Sequence, residues 1–398
     1  MIIYIEDHRP LLRCWPLLLG TFAVGTDAWV VAGFLPEMAD DLGVTVTAAG
    51  QTVTVFAVAY AIGAPLLAAW TCHRPRRALM CVALVALGVV NLGAAAAPSL
   101  GLLLVARVAA GLAASVVTPT AGVLAAASVP DTHRGRALAL VISGLTLATA
   151  IGVPLGTVSS AVANWRTVLI GVAVLSVAAA GAVRCLAPDA PGRGVISVRR
   201  RFAPLVRSEI IVTLTVTTLG MTAAYLGYAY IAAFTRTGAE LLTVVLLAYG
   251  VGALAGSLAS GVVADRRGPT LGLTIAYLLM IGAVGVCAAH VGAAVTVVAA
   301  AVWGAASWAQ TPPQQQRLLS YDPEHAPMTI GLNASALYLG IALGTALGGV
   351  LIRGGPWYIA AATALIALSA AALNVTLNAR KPVAERTIRP ELSKEPRA

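Results

Sequence analysis

Charge is what this sequence has least of. Of 398 residues only 11% are charged, against about 25% in an average soluble domain, while 59% are hydrophobic. Too few polar residues remain to coat a water-soluble globule, so the chain reads as a polytopic membrane protein in contact with a lipid bilayer. Lysine occurs only at Lys381 and Lys394, and every other basic residue is arginine. With abundant alanine and valine, that usage points to a GC-rich bacterial genome. The five cysteines, Cys14, Cys72, Cys81, Cys185 and Cys287, have no paired spacing and no histidine placed beside them as a ligand. Neither a disulfide framework nor a metal site is supported, and no cofactor is expected. No Gly-x-x-x-x-Gly-Lys-Ser/Thr loop is present, which excludes drive by ATP. No span carries paired ionisable residues at helical spacing or a nucleophile–base set, which argues against a membrane-embedded enzyme. The formal net charge of +10 resides in short loops between apolar runs, without a nucleic-acid-binding motif. No nucleic-acid partner is expected.

What the sequence does have is apolar runs, twelve of them, near 11–35, 46–70, 78–97, 100–127, 135–161, 167–186, 209–234, 241–264, 271–290, 293–314, 328–352 and 357–377. About 20 apolar residues cross a bilayer at ~1.5 Å rise each. The first run lacks a small-residue cleavage site, so a retained helix is expected there. A Pro/Gly/Arg-rich stretch between the sixth and seventh runs divides the chain into a six-helix bundle over 1–187, a linker over 188–208, a second bundle over 209–378 and a tail over 379–398. Placing both termini in the cytoplasm puts 22 of the 26 basic residues there. Arg317 is counted in that group as a loop residue. Shifting the sequence by 193 residues superposes Gly63 on Gly256, Cys72 on Asp265, Arg74 on Arg267, Pro119 on Pro312, Pro130 on Pro323 and Gly156 on Gly349. The coincidences predict two six-helix repeats in parallel orientation, the arrangement that alternating access by rocking requires.

A charge at membrane depth is expensive and needs a partner. Arg107 lies within the fourth run, with Gly111 and Ser115 on its face at i, i+4 spacing. Of the 16 acids, Asp27 alone lies well inside an apolar run. Counted from the loops, Asp27 is ~13 Å and Arg107 ~10 Å below the same edge, so their depths are compatible. Depth does not say whether they face each other. The second half is expected to hold no embedded charge, since Gly220 and Ala300 take the corresponding positions. It offers Tyr225, Tyr228, Trp303, Trp308, Gln310, Asn333 and Tyr338 instead, aromatics and amides suited to a mostly apolar organic ligand.

The loop after the eighth run reads "GSLASGVVADRRGPT". It resembles the loop signature of the major facilitator superfamily, with Gly261, Asp265, Arg266 and Gly268 in place. The resemblance implies a glycine allowing close helix approach and a charge network that latches one conformation. The first-half copy, "GAPLLAAWTCHRPRRAL", departs from the pattern. Cys72 and His73 replace the acid and the first arginine, while Arg74, Arg76 and Arg77 remain. Arg107-x-x-x-Gly111 is similar to the family's buried-arginine motif. "SGLTLATAIGVPLGTVSSA", with Gly144, Gly152, Pro154 and Gly156, resembles its antiporter motif. "GTDAWVVAGFLPEMADDLGV" resembles the first-helix signature of the twelve-helix drug:proton antiporter branch, most like bacterial exporters of chloramphenicol or sugars.

The resemblance implies an all-α membrane protein with the twelve-helix major facilitator fold, in the bacterial inner membrane, expected as a monomer. The expected function is secondary active efflux of small amphipathic organic compounds in exchange for protons, with Asp27 and Arg107 as the coupling pair. An exporter or facilitator of sugars, nucleosides or other metabolites is the alternative on the same fold.

Overall fold

The computed structural model describes residues 14–130, 134–187, 189–191, 203–322 and 326–379. Among them every regular element is helical. Twelve helices are long and apolar enough to cross a membrane: α1 (Trp15–Gly33), α2 (Val46–Trp70), α3 (Arg76–Ala95), α4 (Leu100–Ala127), α5 (Leu140–Ser160), α6 (Trp165–Leu186), α7 (Ser208–Tyr228), α8 (Glu240–Ala264), α9 (Pro269–Ala289), α10 (Ala293–Tyr321), α11 (Met328–Gly354) and α12 (Pro356–Leu377). Short helices over Leu35–Asp41 and Ile231–Thr235 follow α1 and α7. Helix starts follow local chemistry. The Thr45 hydroxyl accepts from Ala48 N at 3.2 Å to open α2, and Asn164 accepts from Thr167 N at 2.9 Å to open α6. Gly268, at φ 78°, lets the chain turn from the helix carrying α8 into α9, a backbone region that side chains avoid. Pro312 and Pro313 cannot donate, and α10 breaks between Trp308 and Thr311. At that break the Gln310 amide donates to Ser307 O at 2.9 Å.

The repeat read from the sequence is present contact by contact. In the first half α1 packs on α5 and α6, α2 on α4, and α3 on α4 and α6. In the second, α7 packs on α11 and α12, α8 on α10, and α9 on α10 and α12. Gly111 lies against the carbonyl of Phe56, and Gly304 against that of Tyr249. Gly63 meets Leu112 as Gly256 meets Ala305. Each residue in the second contact lies 193 positions after its counterpart in the first.

The halves meet along two helix pairs, α2 with α11 and α5 with α8, which the same repeat exchanges. At the end where the loops are poor in arginine, Thr47 donates to Gly349 O across the halves at 2.9 Å. Tyr230 is seated against Gly50 of α2 and Gly349 of α11, and its hydroxyl donates to Thr345 O at 3.1 Å. Burial pushes the Tyr230 phenol up to about 12, so this bond survives throughout the physiological range. Nearer mid-length, Trp29 meets Trp308 edge-on at 5.1 Å and Tyr60 stacks on Tyr338 at 3.6 Å.

These cross-half contacts have a testable weak point. A Cβ at Gly349 would fall 2.5 Å from the Tyr230 hydroxyl and 3.0 Å from Thr47 Cγ2. Gly349→Val should therefore push the halves apart at this end. Spin labels at the exposed positions Asp40 and Arg353 should report a longer distance in the variant. An unchanged distance distribution would show that the contact absorbs the side chain.

Candidate functional site

Asp27 and Arg107 do face each other. Thr26 of α1 is pressed against Gly152 of α5. One residue on, a rotation of about 100° turns Asp27 toward α2 and α4. Arg107 Nη1 donates to Asp27 Oδ1 at 2.6 Å, Nη2 to Asp27 O at 3.0 Å and Nε to Thr52 O at 3.4 Å. The guanidinium carbon lies 4.5 Å from the centre of the Phe56 ring, where cation–π attraction adds up to roughly 2 kcal/mol when desolvated. Asp27 is fully buried and Arg107 is 1% exposed. Asp27 Oδ2, also buried, has no hydrogen-bond partner among the described residues. One carboxylate oxygen is thus held firmly, and the other is bare among the described residues.

The α5 glycines sit on the neighbouring surface. A Cβ at Gly144 would collide with Thr21 and Leu18 of α1, at Gly152 with Thr26, and at Gly156 with Val30. Ending two residues before Pro154, residues Ala148–Gly152 form a widened π-helical turn, a local irregularity that recurs at functional sites. This turn presses its Thr149 and Ala150 backbone on Gly250 of α8. So α5 packs on α1 through its glycines and on the opposite half through its widened turn.

The aromatic and amide candidates of the second half do not converge on one point. Tyr225 and Tyr228 meet at 5.1 Å, Tyr228 and Tyr249 at 4.6 Å, and Tyr249 and Trp303 at 5.5 Å, a ladder inside the second bundle. Asn333 is held by the Thr217 hydroxyl at 2.9 Å. Gln310 lies beside Gly220, filling with Tyr277 the space that Asp27 takes in the first half. Tyr338 instead reaches across to Tyr60 and Phe56 of α2. Trp29, Thr52, Phe56 and Tyr60 do not stand out in the sequence. The offset of 193 that equates Phe56 with Tyr249 is the one signal that points to Phe56.

One expectation is corrected. Arg317 is not a loop residue: α10 runs to Tyr321, and Arg317 within it is 3% exposed, donating to Thr270 Oγ1 at 2.8 Å. The second half therefore does hold a charge buried within the protein, near the C-terminal end of α10. Hydropathy hid it, because Gln314, Gln315 and Gln316 precede it and make the apolar run appear to stop.

The loop residues divide. Gly261 has open space around it rather than a close helix contact, Arg266 is exposed, and the side chain of Asp265 lies outside the described residues. In the first half Cys72 is buried and accepts at its carbonyl from Arg76 at 2.9 Å, while Arg74 is exposed. Arg77 finds its acid elsewhere, in Asp189 at 3.7 Å, whose carboxylate also accepts from Arg77 N at 3.3 Å. Both side chains are about a third or more exposed, 31% and 44%, so this pair is worth only about 0–1 kcal/mol.

Two packed six-helix repeats, the first of which holds a buried charge pair, have the architecture of a multi-pass membrane transporter. A family model described as Major Facilitator Superfamily matches residues 17–320, and the chain belongs to that superfamily. It is similar to the inner membrane transport protein YdhP of Escherichia coli, 31% identical over 95% of this chain and 97% of that protein. A chloramphenicol resistance protein of Streptomyces lividans is 32% identical over 84% of this chain and 87% of its own. A chloramphenicol efflux pump of Mycobacterium tuberculosis is 28% identical over 84% of each. Among solved structures, a D-xylose–proton symporter aligns over 90% of this chain and 96% of its own with a TM-score of 0.74. At 12% identity that likeness concerns the fold alone.

Proposed function

We propose that the chain exports small amphipathic organic molecules, of the antibiotic type, across a bacterial inner membrane in exchange for protons. The observation that carries this reading is the buried carboxylate of Asp27, held by Arg107 through one oxygen and bare at the other. Arg107 at 2.6 Å favours the charged carboxylate; loss of that contact during rocking would leave Asp27 free to take a proton. Proton uptake from outside then favours return to the inward-facing state, and release inside readies the site for substrate. The α5 glycine pattern, typical of antiporters by resemblance, supports exchange over symport. The named activities of the chloramphenicol relatives support efflux of a drug-like molecule.

In this reading the arginine-rich end, both termini and the linker over 188–208 are cytoplasmic. The bundles over 1–187 and 209–378 rock about the α2–α11 and α5–α8 contacts, and the protein works as a monomer. Cross-half contacts at the arginine-poor end correspond to a state closed toward the outside. Rocking in this reading opens part of the Tyr225, Tyr228, Tyr249 and Trp303 ladder, buried in this state, to the substrate.

Purified protein in proteoliposomes tests this with chloramphenicol and a set of sugars and nucleosides as probes. Chloramphenicol is expected to move against its gradient only while a pH difference is imposed. Transport of a sugar that ignores the pH difference would replace this reading with a facilitator.

A further inference from the structure

The Asp27–Arg107 pair is incomplete in one respect. Arg107 satisfies Oδ1 and the main-chain oxygen of Asp27, yet Oδ2 is buried with no partner among the described residues. Leaving a buried acceptor unmet is penalised more heavily than making one hydrogen bond is rewarded. A second orphan lies nearby. The Tyr338 side chain is 4% exposed and its hydroxyl, too, has no partner among the described residues. Its ring stacks on Tyr60 at 3.6 Å and 21°, and lies 6.4 Å from Phe56. Phe56 in turn carries the Arg107 guanidinium on its face. Tyr338 is therefore fixed, through Tyr60 and Phe56, to the same wall as the ion pair. A carboxylate oxygen only accepts and a phenol can donate, so the two orphans are chemical complements.

We propose that Tyr338 is the positioning residue through which the second half governs protonation of Asp27, its hydroxyl donating to the carboxylate oxygen that Arg107 leaves bare. The bond forms directly or through one water as the halves settle together. Tyr338 belongs to α11 while Asp27 and Arg107 belong to the first half. The donor therefore approaches and withdraws as α2 and α11 move, which ties the proton affinity of Asp27 to the conformational state. This step rests on the proton-carrier reading of Asp27. Among the described residues, the titratable and charged groups on this wall are Arg107 from α4, which holds Asp27, Tyr60 from α2 and Tyr338 from α11, which stack on each other. The α5 span contains no titratable residue, and α10 meets α1 through Trp308 against Trp29.

Infrared titration of the purified full-length protein tests the bond without any substrate. A carboxyl band present in the wild type and absent from Asp27→Asn reports Asp27. Removing a donor to the ionised form raises proton affinity, so Tyr338→Phe should move the midpoint of that band upward by about one pH unit. That shift is a tenfold change, about 1.4 kcal/mol. Tyr60→Phe, which removes the neighbouring hydroxyl, should leave the midpoint in place. A fluorinated tyrosine at 338, a stronger donor that keeps the ring stack, should move it downward and covers the case in which Tyr338→Phe folds poorly. A midpoint that moves with neither change at 338, or moves equally with Tyr60→Phe, overturns the proposal. Retention of pH-driven transport by Asp27→Asn would instead defeat the proton-carrier reading, while the titration midpoint still tests the bond on its own.

Discussion

Arg107→Met is expected to destabilise the folded protein by about 3–5 kcal/mol, the range for removing one partner of a buried ion pair. The reason is what stays behind. Asp27 is fully buried, and without Arg107 it loses its only side-chain partner among the described residues. Methionine fills much of the same volume, so the loss reports the uncompensated charge more than a cavity. The double variant Asp27→Asn with Arg107→Met should recover most of that loss, because an amide costs far less to bury than an isolated carboxylate. Thermal unfolding of the purified single and double variants measures the difference. Equal stability of Arg107→Met and wild type would mean the pair contributes nothing, and a double variant as unstable as the single would assign the loss to packing.

Gly250→Val is expected to shift the conformational balance by roughly 10- to 100-fold, the equivalent of about 1–3 kcal/mol of overpacking, and to cut transport accordingly. A Cβ there would fall 2.6 Å from the Thr149 carbonyl carbon, across the contact between α5 and α8. Backbone cannot yield as the end of a flexible side chain can, and a π-helical turn is already distorted. The halves must therefore separate at this point. Gly171→Val is the matched control, since Gly171 is exposed with nothing within 4 Å. Transport rates and distances between spin labels on the two halves give the readout. A Gly250→Val protein that behaves like Gly171→Val would show that the α5–α8 contact opens freely without consequence.

Much of this architecture is legible in the sequence because a bilayer forces it to be. Apolar runs must be long enough to cross, so twelve spans can be counted from hydropathy alone, and all but the seventh and tenth end within about five residues of the observed helix. The repeat is legible because close helix approaches need small residues at fixed places, and Gly63 and Gly256 keep the same partners. A charge such as Arg107 or Asp27 stands out against an apolar background. Helix rotation is not legible: depth puts Asp27 and Arg107 at one level, but only packing of Thr26 on Gly152 turns Asp27 toward Arg107. Arg317 is lost because glutamines lower the local hydropathy at the end of α10. The pairing of Arg77 with Asp189 is invisible because it joins residues far apart in sequence. The cross-half contact of Tyr338 with Tyr60 is hidden too, since a tyrosine in an apolar helix serves equally as packing, ligand contact or interface anchor.

The central claim is that Asp27 carries the proton that drives transport. Asp27→Asn keeps the size of the side chain and retains a polar partner for Arg107, so the protein should still reach the membrane. Reconstituted beside the wild type, with chloramphenicol as the probe and a pH difference imposed, it should lose accumulation against the gradient while downhill movement stays detectable. Accumulation by Asp27→Asn at the wild-type level would contradict the account and reduce Asp27 and Arg107 to a structural pair.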